Sequence, residues 1–173
     1  LTGGADLSEF SIDASTGALI FVSAPNFEVP SDVDADNVYE VEVTATDDGV
    51  GTLWSSQILS VSVVNANEPP AFISLTRLSL LENTTSVQTV IASDVDAGST
   101  LTYSLDGGSD QSKFYINELT GALSFVSAPD FELPSDVDTD NIYEVNVSAT
   151  DDGIGTLRSS HRIFVTVINA NES

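Results

Sequence analysis

The sequence predicts an all-β chain of tandem Ig-like Greek-key β-sandwiches, with about seven strands in each complete domain. Three observations lead there: apolar side chains alternate with period two, glycine turns punctuate the runs, and most of the pattern occurs twice.

The repeat sets the frame. Residues 1–68 align without a gap on 105–172, and roughly two-thirds of the paired positions are identical. The complete unit is therefore 69–173, and 1–68 form a partial unit lacking its N-terminal third. Leu1 falls inside a repeat and no segment resembles a signal peptide, so the chain reads as a piece of a longer array.

Within a unit, Tyr39, Val41, Val43 and Ala45 fall on one face of a strand, and Glu40, Glu42 and Thr44 on the other. Ile58, Val61 and Val63 lie in a further β-branched run, and Leu101, Tyr103 and Leu105 alternate in the part that only the second unit keeps. Thr16-Gly17, Asp48-Gly49, Gly107-Gly108, Thr120-Gly121 and Asp152-Gly153 supply the turns between them. A partial sandwich leaves its core open. Phe10, Ile12, Leu19, Phe21, Tyr39, Val41 and Val43 are thus expected to face water unless missing strands or a neighbouring molecule cover them.

Asp and Glu number 27 against 4 Lys and Arg, a formal charge of -23. Such a field repels phosphate backbones and anionic lipid and favours cations, so no nucleic-acid partner and no direct membrane insertion are expected. No apolar run is long enough to span a bilayer. Without cysteine there are no disulfides, thiolate metal sites or cysteine nucleophiles. The one histidine, His161, aligns with Gln57 in the other copy, which argues for a strand position and against a catalytic base; the chain reads as no enzyme.

The chemistry lies in oxygen-rich clusters, because carboxylates and carbonyls at short spacing are what a hard cation such as Ca2+ takes six to eight at a time. Asp94-Val95-Asp96 sets two carboxylates on one side of an extended segment. Asn65-Ala66-Asn67-Glu68 precedes a stiffening Pro69-Pro70 pair at the unit boundary. Asn26-Phe27-Glu28 recurs as Asp130-Phe131-Glu132, and Asp47-Asp48-Gly49 as Asp151-Asp152-Gly153.

In this order the clusters resemble the calcium motifs of the cadherin repeat. Leu81-Glu82-Asn83 stands for its PEN-like stretch, Pro25-Asn26-Phe27-Glu28 for DRE, Asn65-Ala66-Asn67-Glu68 for the linker, Asp94-Val95-Asp96 for DxD and Ala149-Thr150-Asp151 for AxD. The resemblance implies calcium shared between successive domains, with Glu28, Asn65, Asn67 and Glu68 from the first unit and Asp94, Asp96 and Asp151 from the second. It assigns Glu82, Asp130, Glu132, Asn169, Asn171 and Glu172 to outer junctions completed by neighbouring domains. Asn65 and Asn26 replace carboxylates of the family pattern, and the linker is one residue short, so fewer or weaker ions than the family's usual three are expected.

The loops 31–37 and 135–141, with Asp32, Asp34 and Asp36 and their copies Asp136, Asp138 and Asp140, fit either a further cation site or a solvated acidic loop. They lack the glycine and distal glutamate of an EF-hand. The resemblance also raises an exchanged adhesive tryptophan for Trp54, but its place in a late strand and its copy Arg158 favour an ordinary surface or packing role.

The function implied is a calcium-binding module of a secreted or cell-surface protein, acting in calcium-dependent adhesion or as a calcium-rigidified tether. Adjacent repeats are its first partners, with homophilic contacts or surface glycans beyond them. The near-identical copies and the NANE-type linker point to a bacterial surface protein. A carbohydrate-binding module of a secreted polysaccharide-degrading protein is the alternative, and an inert spacer is a third.

Overall fold

The computed structural model describes residues 1–171. Among them there is no α-helix, and the helical content is two 3-10 turns, Leu7–Glu9 and Gln111–Lys113. No helix among the described residues is long and apolar enough to cross a membrane. The chain divides into two compact units, Leu1–Ala66 and Asn67–Ser173.

In the first unit, β1 (Phe10–Ile12) and β2 (Leu19–Phe21) form one hairpin, and β3 (Val38–Thr46) and β4 (Trp54–Ser62) an antiparallel ribbon. The Phe10 and Phe21 rings stack at 4.6 Å, and Tyr39 meets Phe21 edge-on at 5.1 Å. The expected exposure of this core needs correction: Phe10, Tyr39 and Val41 are buried, and Ile12, Leu19, Phe21 and Val43 are half-buried. The hairpin packs its aromatic face on β3, and Leu1, Leu59, Val61 and Val63 close around it. The far end of β3 opens, where Ala45 is exposed.

The second unit contains β5 (Ala71–Phe72), β6 (Arg77–Leu81), β7 (Ser86–Thr89), β8 (Ala92–Ser93), β9 (Thr102–Gly107), β10 (Phe114–Ile116), β11 (Ala122–Phe125), β12 (Ile142–Thr150) and β13 (Arg158–Ile168). One sheet runs β6-β13-β12-β9, with β6 parallel to β13 and the other pairs antiparallel; the second runs β10-β11-β7, and β5 with β8 makes a small ribbon. The stretch ahead of β9 breaks into four short pieces, β5 to β8. Ser74 lies in one break, and its hydroxyl bonds the backbone of Ile91.

Alternation explains the core. Tyr143, Val145, Val147 and Ala149 of β12 and Ile163, Val165 and Val167 of β13 are buried, facing Phe114, Leu123 and Phe125 of the other sheet. Burying each such large side chain stabilises the unit by about 1.5–3 kcal/mol. Close approach fixes one glycine: at Gly108, φ +97°, a Cβ would fall 2.6 Å from the Glu144 carbonyl oxygen. β12 enters opposite Thr166 and leaves opposite Arg158, so Asp151 follows one end of the sheet, and Glu82 and Asn169 follow β6 and β13 at the other.

Candidate metal centre

At the first end of the second unit, hydrogen bonds link Asp94, Asp96 and Glu68 in one set and Asn67 with Asp151 in another, the two joined through the Asn67–Glu68 peptide. The Asp96 N–H donates to Asp94 Oδ1 at 3.0 Å, and the Glu68 N–H to Asp96 Oδ2 at 3.1 Å. Asn67 Nδ2 donates to Asp151 Oδ2 at 3.1 Å. Asp151 is 4% exposed, and its Oδ1 accepts the N–H groups of Gly153 and Leu157, each at 3.0 Å. Gly153 is required here, since a Cβ on it would meet Asn67 Oδ1 at 1.8 Å. Asp94 Oδ2 is buried without a hydrogen-bond partner. The group offers oxygen donors and no histidine or thiolate, which fits a hard divalent cation.

The expected extended clamp at Asp94 and Asp96 is instead a bend at Val95 and Asp96, followed by a turn through Gly98 at φ +87°. Asp94 closes that bend by capping the Asp96 N–H, an Asx turn that competes with extended backbone. The adjoining Asp152 accepts the Thr100 N–H at 2.8 Å, and that bond holds its carboxyl below the usual range.

At the opposite end, Glu82 is 2% exposed and uses both oxygens, Oε2 toward the Phe131 N–H and Oε1 toward the Ala170 N–H, each at 2.8 Å. Carboxylate oxygens of Glu82, Asp130 and Glu132 lie within 4.8 Å of one another. Asn169 Nδ2 donates to Glu132 Oε1, and Asp130 Oδ1 accepts the Leu133 N–H at 2.9 Å. Glu172 lies outside the described residues. Glu28 and Asn65 belong to the first unit, where Asn26 Oδ1 accepts the Glu28 N–H at 2.9 Å.

The acidic loops are ordered by hydrogen bonds. Asp136 Oδ2 accepts the Asp140 N–H at 2.8 Å, and Asp140 Oδ1 the Ile142 N–H at 2.8 Å. Loss of hydration, then the charge of Asp140, raises the Asp138 carboxyl above its ordinary value; for Asp34 the charge of Asp36 comes first. Sequence reasoning missed Asp110, 1% exposed, which accepts Val137 N–H on Oδ1 and Glu144 N–H on Oδ2, each at 2.8 Å. Asp6 binds Val33 and Glu40 in the same way. The available signal was that this aspartate is kept in both copies while its neighbours, Ala5 and Leu7 against Ser109 and Gln111, change.

His161 stacks on Phe72 at 4.8 Å within β13, and Trp54 opens β4 with 69% exposure.

The family model described as Cadherin domain matches residues 76–168. Protocadherin Fat 2 of Rattus norvegicus is 29% identical over 179 residues, covering 100% of this chain and 4% of that protein. Cadherin EGF LAG seven-pass G-type receptor 3 of Homo sapiens is 32% identical over 183 residues, covering 100% of this chain and 5% of that protein. The chain thus spans a small fraction of these relatives. Among solved structures, the extracellular cadherin domains 1-4 of protocadherin gamma B7 match with a TM-score of 0.60 at 25% identity, covering 94% of this chain and 39% of that one. Drosophila N-cadherin EC1-4 matches with a TM-score of 0.67 at 17% identity, a likeness of fold alone, over 95% of this chain and 40% of that one.

Proposed function

The chain belongs to the cadherin domain family, and from that premise we propose that it is a calcium-binding repeat of an extracellular or cell-surface protein, used in calcium-dependent adhesion or as a calcium-stiffened tether. The observation that carries the reading is at one end of the second unit, where Asp94 Oδ2 is buried with no donor, Asp94 is hydrogen-bonded to Asp96 and Asp96 to the Glu68 backbone. Burying an ionised oxygen without a donor is costly, and a cation compensates it. By the family pattern Asn65 and Glu28 are further candidate ligands, and Glu82, Asp130 and Glu132 form a matching half-site at the other end of the second unit. Calcium bound there supplies charge neutralisation. The residues themselves hold the linker start against the sandwich through Asn67 and the Glu68 backbone.

Adjacent repeats are the first partners. A bacterial source is part of the same proposal and rests on the near-identical copies and the linker type. The glycan-binding alternative has little to build on in the second unit: Tyr115 is its one exposed aromatic among the described residues.

Calorimetric titration of calcium into metal-free chain tests the binding: saturable heat that weakens in Asp94→Asn is expected, and an absence of heat overturns the reading. Sedimentation with and without calcium then separates its two forms. Self-association confined to calcium identifies adhesion, and a monomer in both identifies a tether.

A further inference from the structure

The loop 135–141 buries a carboxylate that nothing in the domain-end sites uses. Asp136 is 4% exposed; its Oδ2 takes the Asp140 N–H at 2.8 Å, while its Oδ1 is buried with no hydrogen-bond partner. Oxygens of Asp136, Asp138 and Asp140 converge within 4.8 Å of one another. The ion pairs among the described residues, Arg158 with Asp106 and Arg162 with Glu144, leave this loop without a basic partner.

The first unit repeats the arrangement. Asp32 is 6% exposed, its Oδ2 takes the Asp36 N–H at 2.7 Å, its Oδ1 is buried and unpartnered, and Asp32, Asp34 and Asp36 converge within the same 4.8 Å. The copies differ at Ala35 and Thr139, and both adopt positive φ there, at 58° and 59°. A β-branched residue in the left-handed region is uncommon and persists only where its surroundings fix the backbone. Asp6 and Asp110 supply part of that fixing through Val33 and Val137.

Three carboxylates with one oxygen buried and undonated match a cation, and an all-oxygen, irregular donor set suits calcium better than the strictly octahedral magnesium. We propose that each repeat carries its own internal calcium site in this loop, held by Asp32, Asp34 and Asp36 in the first unit and by Asp136, Asp138 and Asp140 in the second. Its ligands are distinct from those assigned to the domain ends, although Asn141 Nδ2 of the same loop donates to the Phe131 carbonyl, whose N–H meets Glu82. It neutralises the loop that leads into β3 or β12, so that each sandwich gains calcium-dependent stability without a neighbour.

The test uses the whole chain. Asp34 and Asp138 are exposed, so Asp34→Ala with Asp138→Ala leaves the core intact, which circular dichroism verifies. Equilibrium calcium titration is expected to show two fewer ions per chain in this variant, and unchanged stoichiometry overturns the proposal. Terbium gives an independent readout, because the hydroxyls of Tyr39 and Tyr143 accept the Ser31 and Ser135 N–H groups at 3.1 Å, one residue from each buried aspartate. In a background carrying Glu28→Gln, Asp94→Asn, Asp96→Asn and Glu132→Gln, tyrosine-sensitised emission should persist, and adding the two loop substitutions should abolish it. Emission that survives them identifies a merely solvated acidic loop. The background also distinguishes failure here from failure of the domain-end sites.

Discussion

Asp110 and Val137 are joined by a 2.8 Å hydrogen bond from the Val137 N–H to a carboxylate oxygen that is almost wholly buried. The second oxygen takes the Glu144 N–H from β12, so one side chain fastens the acidic loop to the sheet. Asp110→Asn replaces one acceptor by an amide that faces an N–H. Each bond to a charged group contributes about 1.5–3 kcal/mol, so the variant should lose stability on that scale. Urea unfolding measures it, and an unchanged midpoint would show that the fastening is not structural.

Much of this was legible in the sequence because strands announce themselves through alternation. Tyr143, Val145, Val147 and Ala149 all face inward as the period requires. The oxygen clusters were legible too, since the strand ends carry Asp151 and Glu82. The Asp94 bend was not, because an Asx turn is a local hydrogen bond that a period-two reading ignores. Asp110 was hidden for another reason: a lone aspartate carries no spacing signal, and its burial depends on two backbone donors distant in sequence.

Metal removal should be costly for a chain of formal charge -23. Binding confined to the folded state stabilises it by about 2.7 kcal/mol at a hundredfold excess over Kd, so a chelator should lower the melting temperature. Asp94→Ala should melt below wild type in calcium and close to it in chelator, because the residue's remaining task is to cap Asp96 N–H. Equal melting in calcium would remove Asp94 from the ligand set.

Asp13 gives a test of pH dependence away from any proposed ligand. The Ser15 hydroxyl first, then the Ser15 and Thr16 N–H groups, hold its carboxyl below 3.8. A depressed folded value means stability present above the unfolded value and lost as pH falls through the folded one. The second copy places Asn117 at this position with the equivalent bonds from Leu119 and Thr120. Asp13→Asn should therefore melt slightly below wild type at neutral pH, and the two curves should converge as pH drops below 3.8. A difference that stays constant into acid would show that the carboxylate charge is not what these donors stabilise.

The two copies also offer one substitution in two environments. Val147 of β12 is completely buried among Ile163, Val165 and the aromatic rings of the facing sheet, whereas its repeat counterpart Val43 in β3 is half-buried. Removing two methyl groups from a filled site loses their transfer free energy, about 0.8 kcal/mol each, and adds a cavity term because the surroundings relax only in part. At a half-open site water fills the space and the cavity term vanishes. Val147→Ala should therefore cost about 2–3 kcal/mol and Val43→Ala below about 1 kcal/mol. Calorimetric melting of the two variants under one calcium concentration gives the comparison. Equal costs would mean that Val43 is as well covered in solution as Val147, by strands or by a second molecule lying over the open end of β3.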